Sequence, residues 1–167
     1  MQESKAAVLA AIRGVREGHI NAIQGVDPHL VVHPDSGWTL KDLIAHITLW
    51  EADLVQALKA LKAGQPYQTP GLENFDFDGF NQRGYEAARD ASWDVIIGRW
   101  YSTRADLEWA VNSLDEATWA AEMRSPYGSG RTNPVASYVR FICEQHENEH
   151  FEEIFAAKRR SRTSRSE

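Results

Sequence analysis

Residues 37–64 of this 167-residue chain read GWTLKDLIAHITLWEADLVQALKALKAG, and they decide the fold. Apolar residues recur every three or four positions, the spacing of one face of an α-helix; they are Leu40, Leu43, Ile44, Ile47, Trp50, Leu54, Leu58 and Leu61. Thr39 predicts the start of this helix, because its hydroxyl can accept a hydrogen bond from a free backbone N–H and Asp42 occupies the acidic position of a capping box. Gly64 and Pro66 predict its end. The stretch therefore predicts a long helix that buries one face.

Further segments show the same helical spacing, and segments containing Gly and Pro separate them. No segment shows the convincing alternation of apolar and polar residues that is typical of a strand. The predicted helices cover about residues 4–25, 39–64, 76–89, 92–114 and 133–160. Ser4 and Ser92 are predicted N-caps, Ser113 opens a capping box for one more short turn, and Asn133 with Pro134 predicts the start of the last helix. These segments predict an all-α four-helix bundle with an additional short helix between the second and third long helices.

Composition and charge indicate one domain with an acidic body. Hydrophobic residues make up 43% of the chain, enough for one core, and we expect residues 1–160 to form a single domain. Residues 1–157 carry 13 basic and 23 acidic side chains, which disfavours binding to a nucleic-acid backbone. Five of the 18 basic residues fall within the last ten positions, and residues 161–167 are expected to form a basic, disordered tail.

Cellular location is inferred from cysteine usage and hydropathy. Cys143 is the single cysteine, so no disulfide can form within the chain. No segment approaches the roughly 18 consecutive apolar residues of a membrane helix, and the first residues show no secretory signal pattern. We therefore expect a cytoplasmic protein that does not associate with membranes or with nucleic acid.

Three histidines lie on the apolar faces of two predicted helices. His146 and His150 are four residues apart and so share a face of the last helix, and His46 lies three residues after Leu43 on the second helix. Any one of them could be a core histidine with its own hydrogen-bond partner. Three imidazoles on facing helices would be satisfied together by one divalent cation, and a site with three nitrogen ligands and an open position is typical of a catalytic metal.

Residues 146–150, HENEH, also match the H-E-x-x-H pattern of zinc metalloproteases, in which the glutamate acts as general base. The chain offers no predicted sheet on which a peptide could bind as an added strand. We therefore disfavour a protease.

Residues 37–51, GWTLKDLIAHITLWE, resemble the second-helix signature of the DinB/YfiT-like superfamily, W-[ST]-x-x-[DE]-x-x-x-H-x-x-x-[WY]-[DE], and the H-x-x-x-H pair is similar to the other half of that family's pattern. The resemblance covers nearly the whole chain in helix order and spacing. It implies a four-helix bundle, often dimeric, with a three-histidine site for a divalent metal ion and with activities that include thiol-cofactor S-transfer and isomerisation. Carried over position by position, it implies His46, His146 and His150 as the ligands.

Within that superfamily, residues 64–96 resemble the ClbS/DfsB-type branch. In that branch a long loop after the second helix leads into a helix that carries an asparagine, here Asn81. The resemblance implies hydrolysis of an electrophilic small molecule, in detoxification or self-resistance.

Four further residues are candidates for substrate binding, namely His19, Trp50, Asn81 and Arg104. His19 could form a polar wall of a cavity or be a histidine at the edge of the core. Arg104 interrupts the apolar face of the third long helix, where it could bind an anionic group of a substrate or pair with an acid on a neighbouring helix. Trp50 could be a platform for a ligand or part of the core. No residue is assigned a catalytic role.

Two functions are compatible with these residues and with the resemblance. The first is a metalloenzyme, with zinc, nickel or iron, that hydrolyses an electrophilic small molecule or transfers it to a thiol. The alternative is a non-catalytic bundle that binds a small molecule or acts in a stress response and keeps a vestigial metal site. Three imidazoles suit several divalent metals alike, so the sequence does not select one. The expected partners are a small-molecule substrate and a second copy of the chain in a homodimer.

Overall fold

The structure is a computed structural model that describes residues 3–163. The helices are α1 (Lys5–Ile23), α2 (Leu40–Lys62), α3 (Phe77–Ala88), α4 (Trp93–Ser113), α5 (Glu116–Ala120), α6 (Val135–Arg140), a π-helical stretch (Phe141–His146) and α7 (Glu147–Thr163). The last three run on without a break and are called the C-terminal segment below. With α1, α2 and α4 this segment makes the four long helices, and the short α3 lies between α2 and α4. The predicted four-helix bundle with an additional short helix is therefore confirmed.

Three predicted helix starts are confirmed by their hydrogen bonds. Ser4 Oγ accepts from the backbone N–H of Ala7 at 3.2 Å, and Ser92 Oγ caps α4 in the same way. At α2, Thr39 and Asp42 form the complete capping box.

Two other predicted helix starts are wrong, and in each case a neighbouring residue is the N-cap instead. Ser113 Oγ donates to the carbonyl of Ala110, while Asp115 caps α5 by accepting from the N–H of Thr118 at 2.7 Å. The N-cap of α6 is Pro134, with no side-chain cap, because Asn133 lies in a short strand and its side chain donates to the hydroxyl of Tyr138.

The described residues include four short strands that the sequence did not predict. They are β1 (Val31–His33), β2 (Trp38–Thr39), β3 (Glu122–Arg124) and β4 (Thr132–Pro134). They form two antiparallel pairs, β1 with β2 and β3 with β4. Strands of two or three residues are too short for an alternating pattern to register in the sequence.

The C-terminal segment also departs from the predicted continuous helix. A π-helical stretch interrupts it over Phe141–His146, and α7 continues to Thr163, beyond the predicted end at residue 160. Residues 161–163 of the expected tail are therefore helical, and residues 164–167 lie outside the described part. None of the described helices is both long and apolar enough to cross a membrane.

Four charged side chains meet inside the bundle, one from each long helix. They are Arg16 of α1, Glu51 of α2, Arg104 of α4 and Glu147 of the C-terminal segment, and each is at most 5% exposed. We call them the charged cluster. Two positive and two negative groups balance its formal charge, as burial requires.

In the charged cluster, each carboxylate accepts hydrogen bonds from both arginines. Arg16 donates to Glu147 at 2.9 Å and to Glu51 at 2.8 Å, and Arg104 donates to Glu147 at 2.6 Å and also to Glu51. The remaining guanidinium N–H groups reach backbone carbonyls, that of Trp100 from Arg16 and that of Ile12 from Arg104. All four long helices are therefore connected through one polar contact point.

We expect removal of one charge from the charged cluster to destabilise the fold strongly. In Arg104→Gln the two carboxylates would share a single arginine, so we expect the free energy of unfolding to fall by about 3–5 kcal/mol. Denaturant unfolding followed by circular dichroism measures the change. Arg13→Gln is the matched control, because Arg13 pairs with Glu108 at the surface and such pairs contribute little. Equal unfolding midpoints for the two variants would contradict the prediction.

Candidate metal centre

The three predicted metal ligands lie together between two helices. His46 comes from α2, His146 ends the π-helical stretch and His150 lies one turn later in α7. Nε2 of His146 is 3.2 Å from Nε2 of His46 and 3.1 Å from Nε2 of His150. All three candidate ligand atoms lie within 4.8 Å of one another. We call these residues the histidine triad.

The two neighbouring residues His146 and Glu147 contribute to different structures. Successive residues of a helix point in directions about 100° apart, so one of them can face a cavity while the next faces the core. Glu147 is fully buried in the charged cluster, whereas His146 is partly exposed beside the other two imidazoles. The π-helical stretch ends at this junction, and such stretches are frequent at functional sites.

The environment keeps two imidazoles of the triad neutral at neutral pH. Burial, followed by the nearby imidazoles of His150 and His146, lowers the pKa of His46 to about 2. Burial and the proximity of His150 lower the pKa of His146 to about 4. A neutral imidazole has a free lone pair on one ring nitrogen, which is the form that binds a metal ion.

The contacts of the triad fit a divalent cation better than three separate core histidines. The Nε2 atoms of the three rings face one another, with His146 next to both of the others, and not three separate hydrogen-bond acceptors, so one cation could accept all three lone pairs. A tetrahedral ion with bonds of about 2.0–2.1 Å holds its ligand nitrogens about 3.3 Å apart, close to the 3.2 and 3.1 Å that separate Nε2 of His146 from Nε2 of His46 and of His150. The residues present therefore fit a metal ion.

Glu153 orients one ligand of the triad. Its Oε2 lies 2.8 Å from Nδ1 of His150, so Nδ1 of His150 donates a hydrogen bond and the lone pair of Nε2 faces the triad. The same Oε2 lies 3.0 Å from Nε2 of His33, on β1. Neither Glu153 nor His33 was predicted to belong to the site. The spacing of three residues between His150 and Glu153 could have indicated their contact, because residues three apart share a helix face. The contact of His33 with Glu153 could not be predicted, because it depends on strands too short to recognise in the sequence.

A cavity of about 500 Å³ opens beside the histidine triad. Trp50 and Asn81, both predicted to bind substrate, line it, and Nε1 of Trp50 donates to Oδ1 of Asn81 at 3.0 Å. The ring of Trp50 also meets that of His146 edge-on, with centroids 5.9 Å apart. These two candidates are therefore placed where a ligand of the cavity would contact them.

The other two candidates, His19 and Arg104, do not line this cavity. Arg104 belongs to the charged cluster. Nδ1 of His19 lies 3.1 Å from Glu147, and the imidazole stacks on Phe151 with ring centroids 3.6 Å apart. Their contacts are those of the structural alternatives, an ion pair for Arg104 and a core-edge position for His19.

The glutamate of the HENEH sequence is not placed to act as a general base. Burial raises the pKa of Glu147, but the hydrogen bond with His19 and the charges of Arg16 and Arg104 outweigh it and lower the pKa to about 2. A general base works best with a pKa near the working pH, and this carboxylate is held inside the bundle by two arginines. The arrangement differs in this respect from that of a metalloprotease.

Comparison with known proteins assigns the chain to a family. A family model described as the DinB superfamily matches residues 27–154, which include α2, α3, α4 and the whole histidine triad. Searches of curated proteins and of solved structures give no significant match. Since the family model covers more than half of the chain, this protein belongs to the DinB superfamily, whose members often bind a metal ion.

Proposed function

We propose that this protein is a divalent-metal-dependent enzyme that acts on an electrophilic small molecule, by hydrolysis or by transfer to a thiol. The observation that carries the proposal is the convergence of three Nε2 atoms at the wall of a cavity of about 500 Å³. Three imidazole ligands leave a coordination position free, and here the cavity gives access to it. A structural metal site would instead be closed by a fourth protein ligand.

The side chains around the cavity have separate tasks in this proposal. His46, His146 and His150 would hold the ion, and zinc, nickel and iron all suit such ligands. A divalent ion so held lowers the pKa of water or of a thiol and polarises an electrophilic substrate. Glu153 fixes the orientation of His150, and Trp50 forms a wall for the substrate.

The proposal extends to the ClbS/DfsB-type branch and to detoxification of an electrophile. The resemblance to that branch depends on the long loop after α2 and on the helix that follows it. These two segments bring Phe75 and Asn81 to the cavity. A homodimer is part of the same proposal, and light scattering coupled to size-exclusion chromatography measures it.

The enzyme proposal predicts bound metal and a fold that does not depend on it. Purified without an affinity tag, the protein should contain about one equivalent of a divalent metal per chain. Chelation should lower the melting temperature but leave the helical circular dichroism, because the bundle has its own core. The metal-loaded protein should consume members of a panel of epoxides and activated esters, with or without an added thiol.

Two results would contradict this prediction. Absence of metal, even after incubation with zinc or nickel, would favour the non-catalytic bundle. Loss of all helical signal on chelation would show that the metal is structural.

Each ligand of the triad should be needed for metal binding. His46→Ala, His146→Ala and His150→Ala each leave two imidazoles, which hold a divalent ion weakly, so all three variants should lose the metal and any activity together. His29→Ala is the control, because His29 is exposed and lies outside the triad. Metal content and reaction rate are measured on the same samples. A ligand variant that keeps both would remove that residue from the site.

The contact between Glu153 and His150 predicts a graded effect on metal affinity. Glu153→Ala removes the hydrogen-bond acceptor of Nδ1 and should weaken metal binding about 10–100-fold, while Glu153→Gln keeps an acceptor and should weaken it less. Competition with a chromophoric chelator measures both affinities. Glu152→Ala, at the exposed neighbouring position, is the control, and equal affinities for the two alanine variants would refute the role of Glu153.

A further inference from the structure

Three phenylalanine side chains are exposed at the mouth of the cavity beside the histidine triad. Phe75, Phe77 and Phe141 are 49%, 40% and 45% exposed and all line the cavity. They are the exposed phenylalanines of the described chain, and they come from a loop, from the start of α3 and from the start of the π-helical stretch. Grouped exposed apolar side chains mark a binding surface more often than isolated ones do. We call these three residues the aromatic rim.

The backbone of Phe75 is strained where it contributes to the aromatic rim. Its φ is 59°, and it is the one non-glycine residue with positive φ among residues 3–163. A bulky side chain is uncommon in this region, and such outliers cluster at ligand-binding sites. The strained turn is closed by hydrogen bonds from the N–H of Phe75 to the carbonyl of Leu72 and from the N–H of Phe77 to the carbonyl of Phe75. The fold thus keeps a phenylalanine at a position that glycine would occupy without strain.

An aromatic wall leads from the rim to the metal ligands. The rings of Phe77 and Trp50 are stacked with their centroids 6.0 Å apart. The ring of Trp50 contacts that of His146 edge-on, with centroids 5.9 Å apart. Tyr127 contacts the same indole edge-on at 5.4 Å. A planar ring entering from solvent would therefore meet aromatic surface along its whole path to the triad.

The cavity offers no positive side chain to an anionic ligand. Among the described residues that line it, none is lysine or arginine, and the one acid is Glu149. The nearby buried arginines, Arg16 and Arg104, are held by Glu51 and Glu147. A carboxylate, phosphate or sulfonate bound among the rim residues would lose its hydration without gaining a positive side chain as partner, and Glu149 would repel it. The one positive charge near such a group would be that of an ion held by the triad.

We infer that this site takes a largely aromatic small molecule that is uncharged where the aromatic rim holds it, with its reactive group directed at the histidine triad. The inference rests on the proposed function, because it names the substrate class of the same site. It disfavours substrates and thiol cofactors that place a carboxylate among the rim residues. The few polar groups of the cavity, such as the hydroxyls of Ser125 and Ser129, can orient a neutral molecule but cannot neutralise a charged one.

Binding of three naphthalene compounds of nearly equal size tests the inference. They are neutral naphthalenemethanol, anionic naphthalenesulfonate and cationic naphthalenemethylamine, titrated by calorimetry into zinc-loaded and metal-free full-length protein. In the metal-free protein, where no ion attracts an anion, we expect the neutral compound to bind at least about tenfold more tightly than the sulfonate. A smaller ratio in the zinc-loaded protein measures the attraction between the ion and the sulfonate. The cationic amine shows whether Glu149 attracts a positive charge in addition to the preference for an aromatic ring. If the amine bound most tightly of the three compounds, the inference that the ligand is uncharged would be overturned.

Variants of the aromatic rim test which residues grip the ring. Phe75→Gly removes the ring and relieves the strained φ, and Phe77→Ala removes the ring next to Trp50. Each should weaken binding of naphthalenemethanol by about fivefold to tenfold. Tyr101→Ala is the matched control, since Tyr101 is 45% exposed on α4 and lies outside the cavity. Circular dichroism of each variant checks that the fold is kept.

Several outcomes would overturn the inference. One is sulfonate binding to the metal-free protein as tight as that of the neutral compound. The others are rim variants that bind like Tyr101→Ala, and rim variants that convert a dimer to a monomer, since the rim would then be a contact between copies. The proposed function fails separately, through absence of metal or of turnover in protein that still binds naphthalenemethanol as expected.

Discussion

The charged cluster of Arg16, Glu51, Arg104 and Glu147 is the constraint on which the rest of the structure depends. Apolar faces alone let helices slide or rotate by small amounts at little cost, because packing between aliphatic side chains is not directional. Shared hydrogen bonds between two arginines and two carboxylates are directional, and they are satisfied in one relative placement of the four long helices. The cluster therefore fixes which residues of neighbouring helices lie at the same height in the bundle.

That placement carries over to the histidine triad. The two carboxylates of the cluster and the three imidazoles come from the same two elements, α2 and the C-terminal segment. His146 directly precedes Glu147, and His46 lies five residues before Glu51. Fixing the two glutamates against each other consequently brings the imidazoles together as well. A site held by rigid helices in this way is formed before any ligand arrives, which is what precise coordination requires.

Much of this arrangement could be predicted from residue patterns, because it depends on local periodicity. Helix starts with a serine or threonine cap, such as Thr39, are determined by neighbouring residues, and the three histidines were identified because they interrupt apolar faces. Features that depend on contacts distant in the chain were not predicted. Arg104 could be recognised as unusual in an apolar face, but whether it met a substrate or an acid depended on Glu51 and Glu147, which lie 53 and 43 residues away. The contact of His33 with Glu153 depends on tertiary packing in the same way.

The π-helical stretch determines where the length of the C-terminal segment can vary. A π turn contains one residue more than an α turn, so the stretch Phe141–His146 holds an added residue within an otherwise α-helical segment. Deleting a single residue there would restore α-helical winding and leave the helix beyond it facing nearly its present direction relative to α6, because a π turn takes one residue more than an α turn to complete about the same rotation. A deletion within α6 would have no such compensation, since it would turn the residues on its two sides by about 100° relative to each other, and Val135 and Val139 would no longer face the core together with Glu147. Within this segment, natural changes of length should accordingly fall in the π-helical stretch, so relatives of this protein can differ by one residue in the spacing between residues 135 and 146 while they keep the spacing of four between His146 and His150.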